Sequence, residues 1–411
     1  MSKVTESLMS SEQVTIAPIL KKVFFAIVII AYAASCKVTN TTSSNQDAPD
    51  LELDTANVEA VIDSVIQKPV VAIKDSVDIE IFRLLKDTVS IIGVGDIMMG
   101  TNYPDDGYLP ANNGKDLWSD VNGILKDADV TFGNLEGVIL DKGGDAKYCK
   151  DPKICYIFRS PERLMSNIVD AGFDVMSTAN NHAGDFGESG RKNTMKVLDS
   201  LKINHAGQLR QPYTTFMIDG MKYGFAAFAP NTGTVSINDL NNAKEIVAHL
   251  DSLSDIVIVS FHGGAEGSKY QNVLRKNEYF YGENRGDVYK FAHTVIDAGA
   301  DVVFGHGPHV TRAVEVYKNR FIAYSLGNFC TYARFNLRGD NGLAPIIKVN
   351  TTATGEFLFA DITPIIQLGS GGPSIDSQKR VIRKIIELTK KDFPEVPVNI
   401  DESGRITYLQ N

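Results

Sequence analysis

The stretch Ile256-Val257-Ile258-Val259-Ser260-Phe261-His262-Gly263-Gly264 decides how this chain is read. Its apolar residues form one short continuous run, which predicts a strand buried on both faces. The run closes on an imidazole, and the two glycines let the backbone approach a ligand closely. Glu266 adds a carboxylate just beyond.

Working outward, the same arrangement recurs. Val302-Val303-Phe304 runs into Gly305-His306-Gly307-Pro308-His309. Val175-Met176-Ser177 runs into Ala179-Asn180-Asn181-His182, with Asp185 and Gly187 following. Upstream, Ile91–Val94 runs into Gly95-Asp96, and Val130-Thr131-Phe132 into Gly133-Asn134-Leu135-Glu136. Four of the seven histidines fall in these strings. Polar groups gathered just past strand ends are where open α/β sheets bind ligands.

Between the runs, apolar spacing predicts helices over Leu117–Ala128, Pro161–Ala171 with Ser160 as its cap, Gly190–Leu201, Ala243–Ser252, Gly286–Ala298 and Ser374–Leu388. Asn204–Ala206 reads as extended. Asp219-Gly220 predicts a hairpin between Phe216–Ile218 and Tyr223–Ala229, and Lys318-Asn319 another between Val314–Val316 and Arg320–Tyr324. Ala344–Val349 and Glu356–Pro364 read as a third pair. Alternating strands and helices make this an α/β layered domain.

The 411 residues carry 43% apolar and 22% charged side chains and a formal net charge of −9. That balance lacks the basic footprint of a nucleic-acid binder. An anionic substrate would need local basic groups or a metal.

Residues 1–36 read as an export segment. Lys21-Lys22 supplies the positive flank, and Val23 to Ala34 an apolar stretch of signal-peptide length. Ala33-Ala34-Ser35-Cys36 resembles a bacterial lipobox, in which Cys36 is lipidated; an uncleaved anchor is the alternative. Either reading tethers the protein to the membrane outside the cytoplasm. Residues 37–56 read as a polar tether, 57–87 as an N-terminal extension, 88–395 as the main domain and 396–411 as a tail. Cys149 and Cys155 fit a small local disulfide or two free thiols equally.

Several residue types here suit metal or proton chemistry. His306 and His309, three apart between glycines, form a compact loop chelate. Asp96, Glu136, Asn181 and His262 are further candidate ligands. His182, Asp185 and Glu266 are candidate catalytic groups, and Asn134, Asn180, Ser325 and Asn328 candidate substrate contacts. A nucleophilic Ser325 is the weaker idea, because Gly-x-Ser-x-Gly is absent. His205, His249 and His293 lie inside helix or strand patterns and read as structural.

The six strings, in order and closing with Tyr324-Ser325-Leu326-Gly327-Asn328-Phe329, resemble the CapA family of poly-γ-glutamate capsule synthesis proteins over residues 88–335. That family is itself similar to the calcineurin-like metallophosphoesterases. The resemblance implies a four-layer α/β/β/α sandwich with the strings converging at one end of its sheets. It implies Asp96 as a ligand and Glu136 as a bridge between cations. Asn181, His262 and His306 would serve one divalent ion (Mn, Fe, Zn or Mg), His309 another, and His182 would be the general acid or a substrate contact. Departures are Met98, where phosphoesterases carry a His, Glu136 in place of an Asp, and two residues between the last histidines.

Two functions follow from the resemblance. One is a metal-dependent envelope enzyme acting on an anionic γ-glutamyl polymer or a phosphoester. The other is a non-catalytic, polymer-binding lipoprotein subunit working beside membrane capsule-synthesis or export subunits.

Overall fold

The computed structural model of the chain describes residues 86–151 and 155–409. The strands of the two main sheets are β1 (Thr88–Met98), β2 (Val130–Leu135), β3 (Val175–Ser177), β4 (Asn204–Ala206), β5 (Tyr213–Ile218), β6 (Met221–Phe228), β7 (Ile256–His262) and β8 (Val302–His306). They continue with β9 (Val314–Tyr317), β10 (Arg320–Ala323), β11 (Asn328–Thr331), β12 (Leu343–Thr352), β13 (Phe357–Gln367), β14 (Pro373–Ile375), β15 (Val398–Ile400) and β16 (Arg405–Tyr408). The α-helices are α1 (Asn122–Leu125), α2 (Ser166–Asp170), α3 (Gly187–Ser200), α4 (Leu240–Asp251), α5 (Val288–Asp297) and α6 (Arg380–Asp392).

A 10-stranded sheet has the order β15-β16-β13-β12-β1-β2-β3-β4, with β11 beside β1 and β14 beside β13; a 6-stranded sheet runs β9-β10-β8-β7-β6-β5. Side-chain parity shows how they stack, because successive residues of a strand face opposite ways. Val89 and Ile91 of β1 share one core with Phe225 of β6, Ile258 of β7 and Phe304 of β8. Phe132 and Phe304 stack across it at 5.4 Å between ring centroids. The alternate residues point outward. Ile92 and Val94 pack with Leu125 of α1, Ile168 of α2 and Leu198 of α3. Val257 and Val259 pack with Val247 and Leu250 of α4 and Phe291 of α5. Helix, sheet, sheet and helix therefore follow one another, the four-layer α/β/β/α sandwich expected. Val381, Ile382 and Ile385 of α6 close the inter-sheet core at one side.

Both hairpin turns form as read, with positive φ at Asp219 and Gly220 and at Lys318 and Asn319. Three helices differ from expectation. Over Leu117–Ala128 the chain makes successive turns and only four helical residues. Leu117, Val121 and Leu125 are still buried, so their spacing is met without a continuous helix. Pro161 is extended (ψ 144°) and starts a 3-10 turn, so the α-helix begins only at Ser166. The last helix starts six residues late. The Asp376 carboxylate collects the backbone N–H groups of Gln378 and Arg380, which fixes the helix start there, while Pro373–Ile375 pairs with β13. Residues 398–408, read as a tail, supply β15 and β16 to the large sheet.

Cys149 and Cys155 are disulfide-bonded. The export segment, Cys36 and the tether lie outside the described residues. No described helix is long and apolar enough to cross a membrane.

Candidate metal centre

Strand register builds the site. On the large sheet, Asp96 lies opposite Asn134 of β2 and Asn328 of β11. On the small sheet, His306 lies opposite His262. The two sheets face each other, so their carboxyl ends bring both pairs together. Gly95 permits the approach on the large sheet: a Cβ there would lie 2.0 Å from the Gly327 carbonyl oxygen. That carbonyl accepts the Asp96 N–H at 2.9 Å.

Asp96, Glu136, His262 and His306 are fully buried. Asp96 Oδ1 is 3.3 Å from His306 Nδ1, and Oδ2 is 2.8 Å from His309 Nδ1. Asn134 Nδ2 donates to Asp96 Oδ1 at 2.8 Å and to Glu136 Oε2 at 2.7 Å, so one amide holds two carboxylates. Asn180 Nδ2 donates to Asn134 Oδ1 at 3.3 Å and to the Leu135 carbonyl at 2.8 Å. Asp96, Glu136 and His262 each place one ligand atom within 4.8 Å of the others.

The unmet valences show that the cluster suits a cation. Both nitrogens of His262, Nε2 of His306, Oε1 of Glu136 and Oδ1 of Asn181 are buried without a hydrogen-bond partner among the described residues. A buried polar atom left unpaired costs about 1–3 kcal/mol. Imidazole and carboxylate donors converging in this way match a divalent ion of the Zn, Mn or Fe type.

Electrostatics carry the same message. Burial, then the neighbouring Asp96 charge, pushes the Glu136 carboxyl up to about 8. Burial also acts to raise Asp96, but bonds from His306 and His309 outweigh it and hold it well below the usual carboxylate range. Burial opposes charge on His309, yet its contact with Asp96 prevails and pushes the ring up to about 10. Burial drives His262 well below its ordinary value, into the neutral form that binds metals. The protonated His309 ring thus supplies the positive charge that Asp96 requires.

His182 stands beside this cluster. Its Nδ1 is 2.7 Å from Asp185 Oδ2, and its Nε2 is 3.9 Å from Glu136 Oε1. Asp185 also accepts the Phe158 N–H at 2.7 Å and pairs with Lys147 at 2.6 Å. The short Asp185 contact favours the proton on Nδ1 and leaves Nε2 toward Glu136. Burial lowers the His182 pKa while Asp185 opposes it. The Phe158 ring covers the imidazole at 4.2 Å.

The structure thus gathers Asp96, Asn134, Glu136, Asn180, His182, Asp185, His262, His306 and His309. Asn134 and Asn180 spend their donors holding the carboxylates and the β2 backbone. Asn328 donates to the carbonyls of His309 and Asn341, both at 3.1 Å, and so fixes the His309 loop. Ser325 is buried and accepts the Gly327 N–H at 3.3 Å, which shapes that turn. Glu266 pairs with Arg285 at 3.1 Å. Met98 is fully buried and brings only a thioether. His205, His249 and His293 contact Asp199, Tyr213 and Glu315, away from these groups. Lys147, Phe158 and Arg285 are partners the sequence did not single out. Each lies in a loop with no ligand-type residue pattern around it.

A family model described as "Bacterial capsule synthesis protein PGA_cap" matches residues 90–333. The capsule biosynthesis protein CapA of Bacillus anthracis is 29% identical over 324 residues, covering 72% of this chain and 73% of that protein. The PGA biosynthesis protein CapA of Bacillus subtilis is 29% identical over 344 residues, covering 78% and 82%. Among solved structures, the calcineurin-like phosphoesterase YfkN of Bacillus subtilis matches weakly, with TM-score 0.38 and 15% identity over 71% of this chain and 90% of that one.

Proposed function

Because this chain belongs to the bacterial capsule synthesis protein family PGA_cap, we propose that it handles an anionic capsule polymer of the poly-γ-glutamate kind. It does so at a divalent-cation site at the carboxyl ends of β1, β2, β7 and β8. The observation that carries this reading is the set of buried, unpartnered ligand atoms on His262, His306 and Glu136 beside the Asp96 carboxylate.

Asp96, Glu136, Asn181, His262 and His306 would hold the cation, with His309 on the second Asp96 oxygen. A cation there supplies Lewis-acid polarisation and neutralises carboxylates of the chain. His182 sits where it can hold or pass a proton at Nε2, and Asp185 keeps its ring oriented. Phe158 and the buried strand ends keep water from that ring. The exported N-terminal segment would place the domain in the cell envelope, beside membrane subunits that make or export polymer.

A second reading, binding without chemistry, is favoured by Met98. It occupies a strand end next to Asp96 and leaves the second cation position short of nitrogen ligands. Incubating a labelled γ-glutamyl oligomer with the full chain and Mn²⁺ separates the two. The catalytic reading expects the oligomer's length distribution to change with the native chain and not with His182→Ala. An unchanged distribution, with cation bound, overturns catalysis and leaves binding.

A further inference from the structure

Beside the cation cluster lies a cavity of about 850 Å³ that none of the six strings forms. Its walls include Tyr156, Arg334, Phe335, Arg338, Gln367 and Leu368. Phe335 is shared with the cluster: its ring is 5.4 Å from that of His309 and 5.1 Å from that of Phe158, which covers His182. A ligand in the cavity is therefore one side chain, Phe335, away from His309, which holds Asp96, and from Phe158, which covers His182.

The cavity's charge is unusual for a chain of net charge −9. Arg334 lies over the Tyr108 ring at 4.6 Å and the Tyr156 ring at 5.5 Å. Stacking holds a guanidinium flat and leaves its N–H edge free for carboxylates. Arg338 is exposed, four residues further along the same wall. Neither guanidinium has a carboxylate partner among the described residues. A third arginine on the wall, Arg380, is already paired with Asp376 at 2.9 Å. Two unpaired guanidinium groups four residues apart on one loop suit a ligand that presents several carboxylates in succession.

We propose that Arg334 and Arg338 form an anion-reading groove that takes carboxylates of an extended polyanionic chain and leads it past Phe335 to the Asp96–His309 cluster. This rests on the polymer reading above and adds where the polymer lies.

The test is fluorescence anisotropy of the full chain, loaded with Mn²⁺, against a labelled γ-linked glutamyl oligomer. An α-linked oligomer of equal length and a methyl-esterified γ-linked one serve as comparisons. Losing two charge-assisted contacts in R334Q/R338Q should weaken binding at least about ten-fold. Cation content should stay unchanged. R338E, at an exposed position with no side-chain partner, should weaken binding as well and keeps the test independent of the Arg334 stacking. Native-like binding by both variants overturns the groove and leaves the polymer reading standing. Equal binding of the esterified oligomer overturns anion reading. Arginine-dependent binding of the α-linked oligomer alone supports the groove and overturns the γ-glutamyl assignment. No binding of any oligomer overturns both.

Discussion

Replacing Asn134 by Leu removes the amide that joins Asp96 to Glu136 while keeping a side chain of similar branched outline. Its two bonds, at 2.8 and 2.7 Å, end on carboxyl groups that are both fully buried. At neutral pH, with no cation added, Glu136 is largely protonated, since its pKa lies at about 8. The bond to it is then an ordinary one, about 1 kcal/mol, whereas the bond to ionised Asp96 is charge-assisted, about 1.5–3 kcal/mol. The cation-free N134L protein should therefore lose about 2.5–4 kcal/mol, a large share of a typical domain's 5–15 kcal/mol. The loss should grow above pH 8, where Glu136 ionises beside Asp96. Urea unfolding of cation-free protein at pH 7 and pH 9 measures both numbers. A cost below about 1 kcal/mol at both pH values would refute the reasoning. The two carboxylates would then not depend on a donor between them.

Other expectations follow from the same geometry. In cation-free protein, Glu136 has a folded-state pKa raised from 4.5 to about 8, so folding favours its protonated form. Its contribution to stability therefore falls as pH rises from about 4.5 to 8. Glu136→Gln should flatten that slope in thermal unfolding scans and abolish cation binding; an unchanged slope contradicts the assignment. Because a cation must displace the Glu136 proton, calorimetric affinity should rise with pH up to about 8, with proton release. Lys147→Met removes a charge that lowers the His182 pKa, so the His182 ring should titrate higher by NMR. No movement, or a downward one, would show that Lys147 does not act on that ring. Gly95→Ala puts a methyl group 2.0 Å from the Gly327 carbonyl oxygen and should cost about 3 kcal/mol or more. A melting temperature equal to the native chain's would show that β1 and this turn can part freely.

Much of the fold was legible because its central strands are buried on both faces. Ile256–Phe261 and Val302–Phe304 read as largely apolar runs, and the polar residues that follow them mark the sheet end that carries the site. The two-residue turns at Asp219-Gly220 and Lys318-Asn319 were legible through backbone preference alone. Helix boundaries were less so. At Leu117–Ala128 periodicity reports burial of one face, and consecutive turns satisfy it as well as a helix. At Arg380 the start depends on the Asp376 carboxylate, a choice that apolar spacing does not record.

The site's chemistry was legible as residue types and less so as roles. The histidines and carboxylates identify themselves by position after strands. The work of Asn134 and Asn180 does not, since it depends on which carboxylate each amide reaches. Lys147 and Phe158, which flank the Cys149–Cys155 disulfide in sequence, reach Asp185 and His182 from a loop far from them along the chain. Arg334 acquires its meaning from Tyr108, which is distant in sequence. Contacts of that kind are set by tertiary packing, and local pattern carries no trace of them.

The central claim is that the Asp96, Glu136, His262 and His306 cluster is a cation site. Elemental analysis of the full chain, purified and equilibrated with Mn²⁺ or Zn²⁺ and then desalted, tests it most directly. The account predicts about one or more equivalents of divalent ion per native chain, and loss of that ion in a folded His262→Ala variant. A folded native chain that retains no ion, or a His262→Ala variant that retains as much as the native chain, would contradict it.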